Sequence, residues 1–427
     1  SSRLVLTDLC VYCLHKYTIG FFKVFTFVKY VLFTFVNISI FMDLKSLHTS
    51  HHLYQDNAFS DRYLFLDKLH SFMNSLPEAF KLIPIGKSVN QLPIYAVQWG
   101  SGVKKIMAWS LMHGNETTTT KSLIDLVHFL DQEKEHEFVK EISKQVQLNM
   151  VFSLNPDGTK AYTRVNANGV DLNRDALQAT QPEMKALHQL YNTIKPDLCL
   201  NLHGQRSIFS AGNANEPAIV SFLAPAVNET RSITSSRKTS MQLIVGLQNA
   251  LNSFIPKQIG TYDDAFNPNC TGDYFQGLGT PTILFEAGHF PGDYQRTETR
   301  KLIFLAYVEL LKQFTTESYK NIPYKLYMNI PKNQKLFVDV ILKKVSYKGK
   351  CLDFVVQYEE HLQNEHVIFV PKLIRMEENT SYFAHQTILV EDEMVFINED
   401  KVNKLPVLNT IIHNIRTKTK FFSLKMV

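Results

Sequence analysis

The segment His113-Gly114-Asn115-Glu116 sets an imidazole and a carboxylate three residues apart with a glycine between them. Zinc accepts one imidazole nitrogen and one carboxylate oxygen at about 2.0–2.2 Å, and a glycine permits the tight turn that lets both side chains face one point. Taken alone, the pair could equally be a surface His and Glu at the start of a helix. A second histidine, His203, ends the apolar run Leu200-Asn201-Leu202. It would supply the third ligand of a two-His, one-Glu set, the kind that leaves a fourth position for water and lowers that water's pKa toward roughly 7. A closed structural site would need a fourth protein ligand, and no cysteine cluster offers one.

These residues need a scaffold, and the surrounding periodicities describe one. Residues 105–112 read as a buried strand and 117–129 as a helix, with threonines available to cap its start. The His-Glu turn therefore falls where a strand ends and a helix begins, which is where α/β sheets present their ligands. Residues 80–85 and 93–99 read as an opening hairpin, and 146–154, 198–202 and 282–285 as further strands. Helices are expected over 61–73, 182–194, 236–254 and 296–314. Near residue 321 the texture changes to alternating stretches at 336–342, 352–358 and 366–370, which predict a small C-terminal β-rich module. The resulting division is an extension over 1–41, an α/β domain over 42–319 and a β-rich domain over 320–427.

A longer set of motifs runs between the two histidines: Asn155-Pro156-Asp157-Gly158, then Thr163-Arg164, then Gly169-Val170-Asp171-Leu172-Asn173-Arg174, followed much later by Phe285-Glu286-Ala287-Gly288. In this order, and together with the His-Glu turn, they resemble the zinc metallocarboxypeptidase family typified by carboxypeptidase A. The likeness is strongest to compact bacterial-type members, covers roughly 83–314 and does not extend past 320. It implies a three-layer α/β/α fold around a central mixed, mostly eight-stranded sheet, and one Zn2+ per chain. It implies His113, Glu116 and His203 as metal ligands and Asp171 as the carboxylate that orients His113. Glu286 resembles the family's general base and acid, Arg164 the group that polarises the scissile carbonyl, and Asn173 with Arg174 the pair that grips a terminal carboxylate. The expected activity is hydrolysis of the C-terminal amide bond of peptides by promoted water. Asp175 departs from the family's pattern after the Asn-Arg pair and is expected to alter the charge near the carboxylate pocket. The tyrosine that covers the substrate is expected at Tyr262, although Phe266 sits nearer in register. The position expected to select the terminal side chain, Gly272 or Thr271, carries neither charge nor bulk.

Two other readings share part of the pattern. An N-acyl amino acid hydrolase of the succinylglutamate desuccinylase or aspartoacylase type also carries a His-Gly-Asn-Glu motif and an Asn-Arg pair, and a zinc-binding homologue could have lost catalysis. The complete run from 155 to 174 and the 285–288 segment favour the peptidase, and Glu286 with Arg164 argues against an inert protein. Composition bounds partners. Hydrophobic residues make up 45% and charged residues 20%, so a folded enzyme is expected. A net charge of +5 is spread through the chain without basic blocks, so no nucleic-acid partner is expected. Five cysteines imply no disulfide framework, and the Cys10-x-x-Cys13 pair lacks a second pair at zinc-ribbon spacing. Residues 17–42 are densely apolar but interrupted by Lys23 and Lys29, so membrane association is expected only if the extension over 1–41 is native. A cytoplasmic catalytic domain is the favoured expectation, with anchoring or export as alternatives.

Overall fold

Eight strands pair in the order β1-β2-β4-β3-β5-β9-β7-β8. They are β1 (Phe80–Lys87), β2 (Pro93–Trp99), β3 (Lys104–Ser110), β4 (Val146–Val151), β5 (Leu198–Gly204), β7 (Val220–Leu223), β8 (Ile259–Thr261) and β9 (Thr282–Ala287), with a two-residue strand β6 (Ser210–Ala211) outside the main sheet. The central strands β4, β3, β5 and β9 run parallel, while β2 against β4 and β7 against β9 are antiparallel, so the sheet is mixed. This computed structural model describes residues 42–391, 396–397, 407–416 and 421–424; the extension expected over 1–41, with its cysteine pair and its possible membrane role, lies outside the described residues. Among the described residues no helix is long and apolar enough to cross a membrane.

The central strands bury both faces, which is why they read as continuous apolar runs instead of alternating ones. Ile106 and Ala108 of β3 point into one core with Leu200, Phe129 and Phe304, and Met107 and Trp109 point into the other with Leu187 and Phe275. The first layer is built from α1 (Leu44–Ser50), α2 (Leu66–Asn74), α3 (Thr118–Gln132), α4 (Glu137–Gln145), α7 (Ser235–Leu251) and α9 (Thr297–Thr316); the opposite layer is built from α6 (Pro182–Ile194) and α8 (Thr271–Gly277). A short helix α5 (Pro156–Ala161) lies between β4 and the 171–174 motif. The fold is therefore the three-layer α/β/α arrangement expected from the motifs.

Two local expectations differ. The stretch 61–73 is helical only over Leu66–Asn74; 61–65 is irregular, and the Arg62 carbonyl is taken by Thr117 at the start of α3. Thr117, at the start of α3, makes no side-chain cap; its hydroxyl donates to the Arg62 carbonyl at 2.8 Å, tying the irregular segment to the helix.

After α9 the chain stays on the α/β core as far as β10 (Asn333–Gln334), which pairs with β6. A four-stranded sheet follows, in the order β13-β12-β11-β14, from β11 (Phe337–Tyr347), β12 (Lys350–Gln363), β13 (His366–Glu377) and β14 (Phe383–Leu389). Short strands β15 (Phe396–Ile397), β16 (Asn414–Arg416) and β17 (Phe421–Ser423) form a third small sheet. The four-stranded sheet docks through polar side chains: Asp339 accepts from the Tyr294 hydroxyl at 2.9 Å, and His385 Nε2 donates to the Ser207 carbonyl at 2.8 Å.

His385 carries a consequence for acid stability. Burial, helped by the nearby Arg296 charge and opposed by the Ser207 carbonyl, depresses its pKa from 6.5 to about 4. Between those values the unfolded chain takes up a proton that the folded chain refuses, so stability falls as pH drops, by up to about 3 kcal/mol. His385→Gln, which keeps an N–H for Ser207, should flatten that loss in denaturant titrations run from pH 7 to pH 4.

Candidate metal centre

β3, β5 and β9 end side by side, and their carboxyl ends carry the candidate residues. The turn after β3 is shaped by backbone crowding. A Cβ on Gly114 would lie about 2 Å from the Gly158 backbone, so only glycine allows the 113–116 loop to lie against α5. The Gly114 N–H donates to the Thr163 carbonyl at 2.8 Å, which knits that loop to the one carrying Arg164. The 155–158 motif explains the contact from the other side. Asn155 Oδ1 accepts from the Gly158 N–H at 2.8 Å, capping α5, while its Nδ2 donates to the Met112 carbonyl at 3.2 Å, immediately before His113. Asp157 accepts from the Asn90 N–H in the β1–β2 turn. This motif therefore positions the site without facing it.

His113, Glu116 and His203 offer ligand atoms that all lie within 4.8 Å of one another. His113 Nδ1 is 2.9 Å from Glu116 Oε1, His203 Nδ1 is 2.8 Å from Glu116 Oε2, and the two Nδ1 atoms are 3.2 Å apart. Bonds of roughly 2.0–2.1 Å spread over a tetrahedral angle separate donors by about 3.3 Å, so these residues fit a zinc ion. Burial would lower the pKa of His113, but the Glu116 and Asp171 carboxylates raise it; for His203 burial outweighs Glu116 and the pKa falls. Burial opposes the charge of Glu116, yet the two imidazoles hold its carboxyl well below the usual range.

Asp171 Oδ1 lies 2.9 Å from His113 Nε2, the ring nitrogen turned away from the other ligands, and its Oδ2 accepts from Arg164 Nε at 3.1 Å. A carboxylate in that place fixes the tautomer and ring orientation of a ligand histidine. Arg164 is about half exposed and reaches Glu116 Oε1 at 3.4 Å, so its guanidinium borders the three-residue cluster. Glu286 sits opposite His203 in the β5–β9 ladder. Its Oε2 is buried without a hydrogen-bond partner among the described residues. Burial and the Glu116 charge push its carboxyl well above the usual range, with Arg164 opposing.

Asn173 and Arg174 follow Asp171 in a short 3-10 turn, Leu172–Arg174. Asn173 Oδ1 accepts from both the N–H and the hydroxyl of Thr271, and Arg174 Nη1 lies 3.2 Å from Cys270 Sγ. Thr271, one of the two positions expected to select the terminal side chain, thus holds Asn173, and Cys270 contacts Arg174, a contact nothing local in its sequence signals. Tyr262 directs its hydroxyl to Gln205 Oε1 at 2.7 Å, and burial with the charges of Glu286 and Glu116 raises its pKa. Asp175 does not face the carboxylate pocket as expected. It is buried, and its oxygens accept from the Thr180 N–H and hydroxyl and the Gln181 N–H, closing the following turn. His289 packs against Tyr294 and His385, away from the ligand imidazoles.

Part of this chain is similar to known proteins. Residues 65–242 match the zinc carboxypeptidase family. The chain is 31% identical over 153 residues to carboxypeptidase SOL1 of Arabidopsis thaliana, covering 32% of this chain and 31% of that protein. It is 27% identical over 162 residues to carboxypeptidase D of Drosophila melanogaster, covering 32% of this chain and 12% of the other. The aligned part is thus under a third of either relative. A solved structure from Shewanella denitrificans, described as a carboxypeptidase A, superposes with a TM-score of 0.50 at 13% identity, over 62% of this chain and 71% of that one, a likeness of fold. His113, Glu116, His203, Arg164 and Arg174 lie inside the segment that matches the zinc carboxypeptidase family, and Glu286 lies beyond it.

Proposed function

We propose that this protein is a zinc-dependent metallocarboxypeptidase that hydrolyses the C-terminal amide bond of peptides. The observation that carries the reading is the convergence of His113, Glu116 and His203 at one end of the sheet with Glu286 in register beside His203 on the next strand. Zinc held there supplies Lewis acidity, polarising the scissile carbonyl and acidifying water. Glu286, whose buried Oε2 has no hydrogen-bond partner among the described residues, accepts the proton of the attacking water and delivers it to the leaving nitrogen. Arg164, held by Asp171, donates to the carbonyl oxygen as negative charge develops on it. Arg174 and the amide NH2 of Asn173 bind the substrate's terminal carboxylate, for which a guanidinium fork is suited. Tyr262, whose hydroxyl feels the charges of Glu286 and Glu116, would turn that hydroxyl from Gln205 to the substrate.

The test is hydrolysis of matched peptides with free and amidated C-termini by the zinc-loaded full chain. Stepwise loss of residues from the free peptides and none from the amidated ones is expected. Arg174→Ala should raise KM roughly ten- to hundredfold, the equivalent of a charged hydrogen bond, and change kcat less. Turnover of N-acyl amino acids without peptide cleavage would overturn the reading, and so would an unchanged preference for free C-termini in Arg174→Ala.

A further inference from the structure

We propose that Glu360, in the C-terminal sheet, is a positioning residue for the active site: through Arg62 and Tyr162 it clamps the two loops that carry Glu116 and Arg164. Its kinetic consequence rests on the carboxypeptidase reading; the clamp itself does not.

Glu360 lies within β12, paired with Phe369 of β13. Arg62 meets its carboxylate as a fork, Nε to Oε2 and Nη2 to Oε1, each at 3.2 Å. The third guanidinium nitrogen of Arg62 donates to Thr118 Oγ1 at 3.1 Å, two residues past Glu116, and the Arg62 carbonyl accepts from Thr117. The Tyr162 hydroxyl donates to Glu360 Oε2 as well. Tyr162 has a left-handed backbone, φ 55°, at the exit of α5 and stands two residues before Arg164. Fixing its ring fixes the direction in which Thr163 and Arg164 leave the helix, and Thr163 in turn receives the Gly114 N–H. A second buried arginine, Arg296, feels the same carboxylate and donates to the carbonyls of Gln205 and Ala287 at the ends of β5 and β9. One carboxylate from the C-terminal sheet is therefore bonded to the two side chains that brace the 113–118 and 160–164 segments, and its charge reaches the arginine that ties the ends of β5 and β9.

This network is more specific than adhesion requires. A buried ion pair adds little net stability over a well-packed apolar pair, whereas a geometric restraint on a transition-state donor changes rate, because misplacement of catalytic groups by about 1 Å can cost a hundredfold. The four-stranded sheet thereby gains a role in the chemistry of a domain whose motifs end before it begins.

The test compares the full chain with Tyr162→Phe, which keeps the ring packed on Tyr63, and with Glu360→Gln. Hydrogen exchange by mass spectrometry is read over 113–119 and 160–166 and, as reference, over 337–377; zinc content and peptide kinetics are read on the same samples. In Tyr162→Phe, exchange over 160–166 should rise roughly tenfold, as for one lost hydrogen bond, with the reference segment and zinc content unchanged. Its kcat should fall about tenfold or more with KM within about twofold, as for an interaction made in the transition state. Glu360→Gln should extend the faster exchange to 113–119. Unchanged exchange at both loops, or a uniform rise that includes 337–377, would overturn the proposal and leave Glu360 as adhesion alone. If the wild-type chain cleaves no peptide, the functional reading falls while the exchange data still decide the clamp.

Discussion

Glu286→Gln should retain one zinc per chain while kcat falls roughly 10²- to 10⁴-fold, the usual contribution of a positioned general base and acid. The substitution is nearly isosteric, and the position is already anchored by its backbone: Glu286 pairs with His203 on one side and Ser221 on the other. Packing should therefore survive. An amide cannot accept the proton of water or pass one to a leaving amine, so the loss should appear in kcat and kcat/KM together, with KM little changed. Elemental analysis and steady-state kinetics on a peptide with a free C-terminus check both halves. Retention of more than about a tenth of wild-type kcat, far above what loss of a general base leaves, would move proton transfer to another group.

The second large effect concerns the metal. Removal of zinc by a chelator should abolish turnover, and readdition should restore it. His203→Ala should do so permanently, because it takes away one of three convergent donors and leaves Glu116 Oε2 without its imidazole at 2.8 Å. Loss of a group that merely orients a ligand costs about 10- to 100-fold in metal affinity, and loss of a ligand should exceed that. Competition with a chromophoric chelator measures the affinity independently of activity. An unchanged zinc affinity in His203→Ala would show that the ion sits elsewhere.

The candidate site was legible in the sequence to the extent that its chemistry sits in short windows. The 113–116 turn, the 155–158 motif, the 169–174 run and the strand before Glu286 each combine a local backbone need with a functional side chain, so each leaves a compact signature. The central strands were legible for a related reason: buried on both faces, they are largely apolar. What failed locally was partner choice. The threonines before α3 were suitable caps, yet Thr117 turned its hydroxyl to Arg62. Asp175 looked like a charge in the carboxylate pocket, yet its carboxylate oxygens accept from Thr180 and Gln181 in the following turn. In both cases several acceptors or donors compete for one side chain, and the winner is set by which backbone the fold brings near.

By itself the sequence determined the alternation of strands and helices, the placement of the ligand triad at strand ends, the identity of the candidate acid-base and anchoring groups, and the presence of a β-rich segment after them. Only the tertiary structure decided that Thr271 holds Asn173 and Cys270 contacts Arg174, that Gln205 holds Tyr262, and that Glu360 reaches across 298 positions to Arg62. Periodicity and turn chemistry act over a few residues and are written in the order of the chain. Contacts between distant segments depend on strand register and on how one sheet docks on another, and a single Glu in a strand carries no mark of the arginine it will meet.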